Sequence, residues 1–126
     1  LEIGQPIYAG VDYEAILREA EQEADVIVWD GGNNDVSFYK PGLTITVVDA
    51  LRPGHEIQYY PGETNLRIAD VIVINKVGRA APADLQLIRD HIQQGNPQAA
   101  VIESDLDVTA AGPDAIAGRV ALVVED

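Results

Sequence analysis

The stretch Glu23-Ala-Asp-Val-Ile-Val-Trp-Asp-Gly-Gly-Asn-Asn-Asp35 is the starting point for predicting the fold. Its apolar centre, Val26 to Trp29, is short and rich in β-branched residues, which is typical of a buried strand in a parallel sheet. A polar loop follows at once, beginning with Asp30, Gly31 and Gly32. Because open α/β sheets bind ligands at the carboxyl ends of their strands, Asp30 is a candidate site residue.

The residues after this predicted strand have two interpretations. Asp30 can hold Mg²⁺ directly or through water, since hard cations prefer oxygen ligands. Gly31 and Gly32 allow the backbone to approach a phosphate closely or to adopt a positive φ. The alternative is an ordinary strand that ends in an Asp-Gly turn.

Four more apolar runs are predicted as strands: Leu43 to Val48, Val71 to Ile74, Ala99 to Ile102 and Val120 to Val124. Amphipathic spacing predicts one helix capped by Asp12 and another that begins at Pro82. Strands that alternate with helices predict an α/β fold, with a mostly parallel sheet of about five strands and flanking helices. We expect residues 1–126 to form a single α/β domain.

Three of the predicted strands end in polar residues. Asp30 follows Val26 to Trp29, Asp49 follows Leu43 to Val48, and the pair Asn75-Lys76 follows Val71 to Ile74. In a parallel sheet they would gather along one edge, which predicts a ligand-binding site there. Asp30 and Asp49 are the candidate Mg²⁺ ligands. The alternative is a set of solvated loop acids, which are common in so acidic a chain.

The long connection from Ala50 to Gly62 contains Arg52-Pro-Gly-His-Glu56. Arg52 offers a guanidinium for bidentate phosphate contact, His55 an imidazole, and Glu56 a carboxylate. Long connections are often functional, which favours a site over a plain surface turn. His91, in contrast, is expected on the solvated face of its helix.

Asn75-Lys76 after an apolar strand suggests base recognition as in GTP-binding folds, where Asn, Lys and a later Asp surround guanine. The position of that Asp is occupied here by Gly78. The chain contains no Gly-rich phosphate loop followed by Lys-Ser or Lys-Thr.

The composition narrows the possible functions. The 126 residues carry a net charge of −13, which argues against broad contact with nucleic acid or an anionic membrane surface. There is no cysteine, so disulfides and thiolate metal sites are excluded. No apolar run approaches the roughly 20 residues of a membrane span, and a cytoplasmic protein is predicted. Methionine is absent even at position 1, so we expect a piece of a longer protein.

An ordered series of motifs resembles the cyclic 2,3-diphosphoglycerate synthetase family, whose members are also described as predicted GTPases. The resemblance covers nearly the whole chain and is carried by Asp30-Gly-Gly-Asn-Asn-Asp35, Phe38-Tyr-Lys-Pro41, Val47-Val-Asp49, Arg52-Pro-Gly-His-Glu56, Tyr60-Pro-Gly-Glu63, Asn65-Leu-Arg67 and Ala69-Asp-Val-Ile-Val-Ile-Asn-Lys76.

This resemblance implies a P-loop NTPase-like three-layer sandwich, of which the chain is a fragment that lacks the phosphate loop. It implies nucleotide-dependent closure of 2,3-bisphosphoglycerate to its cyclic anhydride. The intact enzyme would use Mg²⁺ and ATP (or GTP), and this chain would need no cofactor to fold. The partners are then a nucleotide and a small phosphorylated substrate.

Under this hypothesis Asp30 lies near Mg²⁺, Arg52 and Lys40 near phosphates, and His55 or Glu56 near the substrate. Gly31, Gly32, Asn75 and Lys76 complete the predicted nucleotide contacts. The alternative is a non-catalytic GTPase-like or regulatory α/β domain that binds a metal or a partner.

Overall fold

The computed structural model describes residues 6–32, 35–107, 118 and 120. The first element is helix α1 (Tyr13–Glu23), and the side chain of Asp12 accepts the Ala15 N–H at 3.0 Å as its N-cap. This confirms the predicted start of the helix. The described helices do not reach the length and apolarity of a membrane-spanning helix.

The central part of the chain alternates between strands and helices. In chain order the elements are β1 (Ile45–Asp49), α2 (His55–Gln58), α3 (Gly62–Ile68), β2 (Val71–Asn75), a 3-10 turn (Val77–Arg79), α4 (Pro82–Gly95) and β3 (Ala100–Glu103). Three of the predicted strands are therefore confirmed. The connection after β1 contains two short helices, so it is more ordered than an open loop.

The three strands form one parallel sheet in the order β1-β2-β3. Asp49 pairs with Asn75 in the register of β1 and β2, and Ile74 pairs with Glu103 in the register of β2 and β3. The carboxyl ends of the three strands therefore meet at one edge. The α/β class and the parallel sheet follow the prediction.

Helices α3 and α4 cover one face of this sheet. The core is formed by apolar side chains of β1, β2, α3 and α4 and of the residues that directly follow β1 and α3, with little or no exposed surface: Val48, Ala50, Leu66, Ala69, Ile72, Ile74, Ile88 and Ile92. Asn96, directly after α4, donates from Nδ2 to the carbonyls of Leu66 at 3.0 Å and Ala69 at 2.8 Å. These two hydrogen bonds join the end of α4 to the end of α3.

The predicted strand Val26 to Trp29 lies outside the sheet. Val26 is 78% exposed and Val28 is 83% exposed. The Trp29 ring lies against Gly31 and meets Phe38 edge-on with 6.1 Å between ring centroids. A short β-branched run becomes a strand only where a neighbouring strand pairs with it, and none of the described strands pairs with this run. The prediction of this strand was wrong.

Within residues 6–32 and 35–107 the sheet has three strands rather than about five. The fifth predicted strand, Val120 to Val124, lies outside the described residues. The opposite face of the sheet exposes Ile45, Val47 and Ile102, whereas parallel sheets of α/β proteins are usually covered on both faces.

Candidate functional site

Charged and amide side chains meet at the carboxyl edge of the sheet, where β1 and β2 end side by side. Asp49 Oδ2 is 2.7 Å from Lys76 Nζ and 3.9 Å from Arg52 Nε. Its Oδ1 accepts the N–H of Leu51 at 3.0 Å. The structure therefore brings Asp49, Arg52 and Lys76 together, and Asn75 lies beside Asp49 in the register of the strands.

The environment of Asp49 determines its protonation. Burial acts to raise the pKa of this carboxyl, but two hydrogen bonds, from Lys76 and from the Leu51 N–H, act to lower it. The positive charges of Lys76 and Arg52 act in the same direction, and the resulting pKa lies below the ordinary value. Asp49 is thus held as an anion that can bind a cation.

Asn75 is fixed by its neighbours. Its Oδ1 accepts the N–H of Lys76 at 2.8 Å and the hydroxyl of Ser104 at 3.2 Å. Lys76 has a φ of 66°, in the left-handed region that residues other than glycine rarely occupy. Backbone strain of this kind concentrates at functional sites, which supports a role for this turn.

Arg52 and His55 lie on the turn that follows β1. The Arg52 side chain is 68% exposed, so most of its guanidinium remains accessible to an anion. His55 is exposed and its ring meets that of Tyr59 edge-on, with 5.0 Å between centroids. Gly54 between them has a φ of 95°, which favours glycine at this position.

Glu56 points into the protein rather than toward the open edge. Its side chain is 2% exposed, and its Oε1 lies 2.5 Å from His91 Nδ1. Its Oε2 accepts the N–H of Gly54 at 2.9 Å. Glu56 therefore holds the turn that carries Arg52 and ties that turn to α4.

His91 was expected on a solvated face, and this expectation was wrong. Its side chain is 18% exposed because it packs against the short helix α2 and pairs with Glu56. The two residues are far apart in sequence, and helical spacing within α4 gives no sign of the contact.

Asp30, Gly31 and Gly32 belong to the exposed segment before β1. Since no strand precedes Asp30, the argument that placed it at the sheet edge does not hold. Among the hydrogen bonds and ion pairs of residues 6–32 and 35–107, none joins Asp30 to a residue of the sheet edge. Lys40 is exposed within the same segment. The roles predicted for these residues stay predictions.

A metal ion would have to rely on few protein ligands. The described part of the chain contains no group of three or more His, Cys, Asp or Glu residues placed to hold a metal. Mg²⁺ commonly binds through one or two carboxylates together with water and substrate phosphates. Asp49 fits that pattern, although a metal there would have to replace Lys76 as its partner.

The fold and this edge define an α/β domain with a parallel sheet and a charged, ligand-accessible carboxyl edge. No protein-family model matches the chain, and no solved structure matches it. The chain is similar to a curated protein, "Arginine synthetase ArcE" of Thermococcus kodakarensis, with 56% identity over all 126 residues. The chain spans 28% of the length of that protein.

Proposed function

We propose that this chain is part of a nucleotide-dependent synthetase and that the carboxyl edge of its sheet contacts the nucleotide and the substrate. The observation that carries the proposal is the 56% identity, over the full 126 residues, to a protein named as a synthetase. The cluster of Asp49, Arg52 and Lys76 supports it, because phosphoryl transfer depends on positioned charges.

In this proposal each group at the edge has one task. Arg52 binds a phosphate, since its accessible guanidinium suits bidentate contact with phosphate oxygens. Asp49 at the edge, or Asp30 in the exposed segment before β1, binds the Mg²⁺ that accompanies ATP or GTP. When the metal replaces Lys76 at Asp49, the ammonium becomes available to the phosphates. Lys40 and His55 would reach the phosphates and the substrate from the flanking segments.

The fold of the longer protein is part of the same proposal. The three-stranded sheet would belong to a P-loop NTPase-like sandwich, with the phosphate-binding loop supplied by sequence outside these 126 residues. The Asp49, Arg52 and Lys76 cluster then supplies charge at one side of the phosphates, while backbone amides of that loop hold the other side.

Two substrates are candidates. The first is the one named for the relative, so that the reaction would form arginine. The second is 2,3-bisphosphoglycerate, closed to its cyclic anhydride, as the ordered motifs from Asp30 to Lys76 imply by resemblance. The identity over the whole chain favours the arginine-forming reaction as the first to test.

The test uses the reverse reaction, because a catalyst accelerates both directions. A longer protein that contains this chain is incubated with Mg-ADP or Mg-GDP, labelled phosphate and arginine. The proposal expects label in the nucleoside triphosphate only when arginine is present. Cyclic 2,3-diphosphoglycerate in place of arginine tests the second substrate.

Arg52→Ala links this activity to the described edge. We expect it to lower kcat/KM about a hundredfold, the typical loss on removing one group that stabilises transition-state charge. Arg18→Ala is the matched control, because Arg18 is a similarly exposed arginine on α1 that pairs with Glu21. No incorporation of label with either substrate would favour a non-catalytic binding domain instead.

A further inference from the structure

The pairing of Glu56 with His91 fixes the imidazole in one form. The Glu56 side chain is 2% exposed, and its Oε1 lies 2.5 Å from Nδ1 of His91. Its Oε2 accepts the N–H of Gly54 at 2.9 Å. Because a carboxylate oxygen accepts hydrogen bonds, the nitrogen that meets it, Nδ1 of His91, carries a proton. In the neutral imidazole, the lone pair is therefore on Nε2.

A cleft formed by α2, α3 and α4 gives access to this lone pair. The cleft has a volume of about 360 Å³, and its lining includes Arg67, His91 and Gln94. The two ring nitrogens of an imidazole point in different directions, so the ring that meets Glu56 through Nδ1 turns Nε2 away from that buried carboxylate. In the part of the chain that the structure describes, Nε2 of His91 has no hydrogen-bond partner. It is thus open to a small ligand in the cleft.

Arg67 can bind an anion in the same cleft. Its Nε and Nη2 both donate to Oε1 of Glu63, at 2.9 Å and 2.6 Å. This pairing balances the charge of Glu63 and positions the guanidinium. Within residues 6–32 and 35–107, Nη1 of Arg67 donates no hydrogen bond, so it remains available to an oxygen of a ligand. Gln94 adds an exposed amide to the lining of the cleft.

Together these groups suit the transfer of a phosphoryl group. A neutral imidazole is a nucleophile, and its ring becomes positively charged when Nε2 forms a new bond. A carboxylate at Nδ1 stabilises that charge and keeps the ring in the reactive tautomer, as the aspartate of a Ser-His-Asp triad does. The anionic oxygens of a phosphoryl group accept hydrogen bonds from a guanidinium. The cleft therefore provides a nucleophile, a group that orients it and a phosphate contact.

We propose that Nε2 of His91 is a phosphorylation site that accepts the phosphoryl group of a nucleoside triphosphate and passes it to the substrate. Glu56 is the positioning residue, and Arg67 holds the phosphoryl oxygens. This inference rests on the proposed nucleotide dependence and deepens it, because it gives the phosphoryl group a carrier on the protein. Glu56 also holds the turn of Arg52, so the carrier is attached to the edge of the sheet.

The step requires no further reactant. The lone pair of Nε2 attacks the γ-phosphorus, the Nε2–P bond forms, and the bond from that phosphorus to the β,γ-bridging oxygen breaks, so the nucleoside diphosphate leaves. The Nδ1 proton stays on the ring, where the carboxylate of Glu56 balances its positive charge. Attack of a substrate oxygen on the same phosphorus then breaks the Nε2–P bond and restores the neutral imidazole.

The test replaces the nucleotide with a small phosphodonor, so that the rest of the longer protein is not needed. The ¹⁵N-labelled chain is incubated with phosphoramidate, which releases ammonia when its phosphoryl group is transferred. Imidazole ¹⁵N and ³¹P NMR follow the two histidines of the chain, and the exposed His55 serves as the internal control. We expect His91 to be phosphorylated at Nε2 about tenfold faster than His55, the typical effect of a partner that orients an imidazole. Exposure alone would favour His55, because the His91 side chain is only 18% exposed.

Glu56→Gln tests the positioning role. If the amide oxygen accepts from Gly54, the amide N–H₂ faces Nδ1 of His91, which must then accept, and the proton moves to Nε2. We expect the ¹⁵N spectrum to show this change of tautomer and the rate at His91 to fall about tenfold, while the rate at His55 stays the same. Glu103→Gln is the matched control, because Glu103 also pairs with a basic residue of α4, Arg89, but does not line the cleft.

The outcomes separate this inference from the proposed function. Phosphorylation of His91 no faster than that of His55, or at Nδ1, would overturn the carrier even if the exchange assay succeeds. An unchanged rate in a folded Glu56→Gln variant would overturn the role of Glu56. Fast phosphorylation at Nε2 that depends on Glu56 would support the phosphorylation site even if the exchange assay fails, and the synthetase proposal alone would then fall.

Discussion

Replacing Glu56 tests whether this residue holds the site together or acts on the substrate. Its buried carboxylate accepts the Gly54 N–H at 2.9 Å and lies 2.5 Å from His91 Nδ1. Glu56→Ala removes both contacts and leaves two polar groups in a poorly solvated place. Removing one member of a buried pair typically costs about 3–5 kcal/mol. We expect a loss of that size in the free energy of unfolding.

Three further variants make the measurement specific. Glu56→Gln keeps an acceptor for Gly54 and should cost less, about 1–2 kcal/mol. Glu63→Ala is the control, because its exposed pair with Arg67 within α3 should contribute only about 0.3–0.5 kcal/mol. His91→Ala completes a double-mutant cycle, whose coupling energy reports the contact between Glu56 and His91 directly.

Urea unfolding followed by circular dichroism gives these values. The reasoning is refuted if Glu56→Ala loses no more stability than Glu63→Ala, or if the cycle shows no coupling. A catalytic role predicts a different result in a longer, active protein. There Glu56→Gln would abolish activity while its unfolding free energy stayed within about 1 kcal/mol of the wild type.

Three other predictions concern the edge, the core and the isolated chain. The pKa of Asp49 is lower in the folded chain than its unfolded value of about 3.9, so its ionised carboxylate stabilises the fold above that pH. This stabilisation is lost as the pH falls through the unfolded pKa and then the lower folded pKa. In urea titrations, the stability advantage of the wild type over Asp49→Asn should therefore shrink as the pH falls through these two pKa values. Ile88→Ala should lower the free energy of unfolding by about 2–5 kcal/mol, because Ile88 is fully buried. Leu87→Ala, on the exposed side of α4, should lower it far less. Equal losses of stability in the two variants would mean that the core lies elsewhere. Calorimetry of this chain with Mg-ATP and Mg-GTP should show no binding at about 10 µM or tighter, and such binding would mean that the phosphate site is present after all.

Local sequence patterns predicted the elements whose burial is decided by nearby residues. Asp12 caps α1, Pro82 opens α4, and β2 is an apolar run buried between two neighbours. The register of β1 and β2 then places Asp49 beside Asn75, as expected for parallel strands. The positions of Asp49 and Asn75 could therefore be predicted from the order of the strands and the residues at which they end.

The remaining features depend on contacts that sequence periodicity does not contain. The run Val26 to Trp29 has the composition of a strand, but composition does not say whether a partner strand is available. The Glu56–His91 contact joins α2 to α4 across 35 positions.

Gly78 and Asp105 share one volume, because a Cβ atom built on Gly78 would overlap Oδ2 of Asp105. Positions 78 and 105 should vary together: a homologue with an acid at the first position should have a small or neutral residue at the second. Gly78→Asp would bring a second carboxylate into the volume that the Asp105 carboxylate occupies, so the exposed Asp105 side chain would have to move.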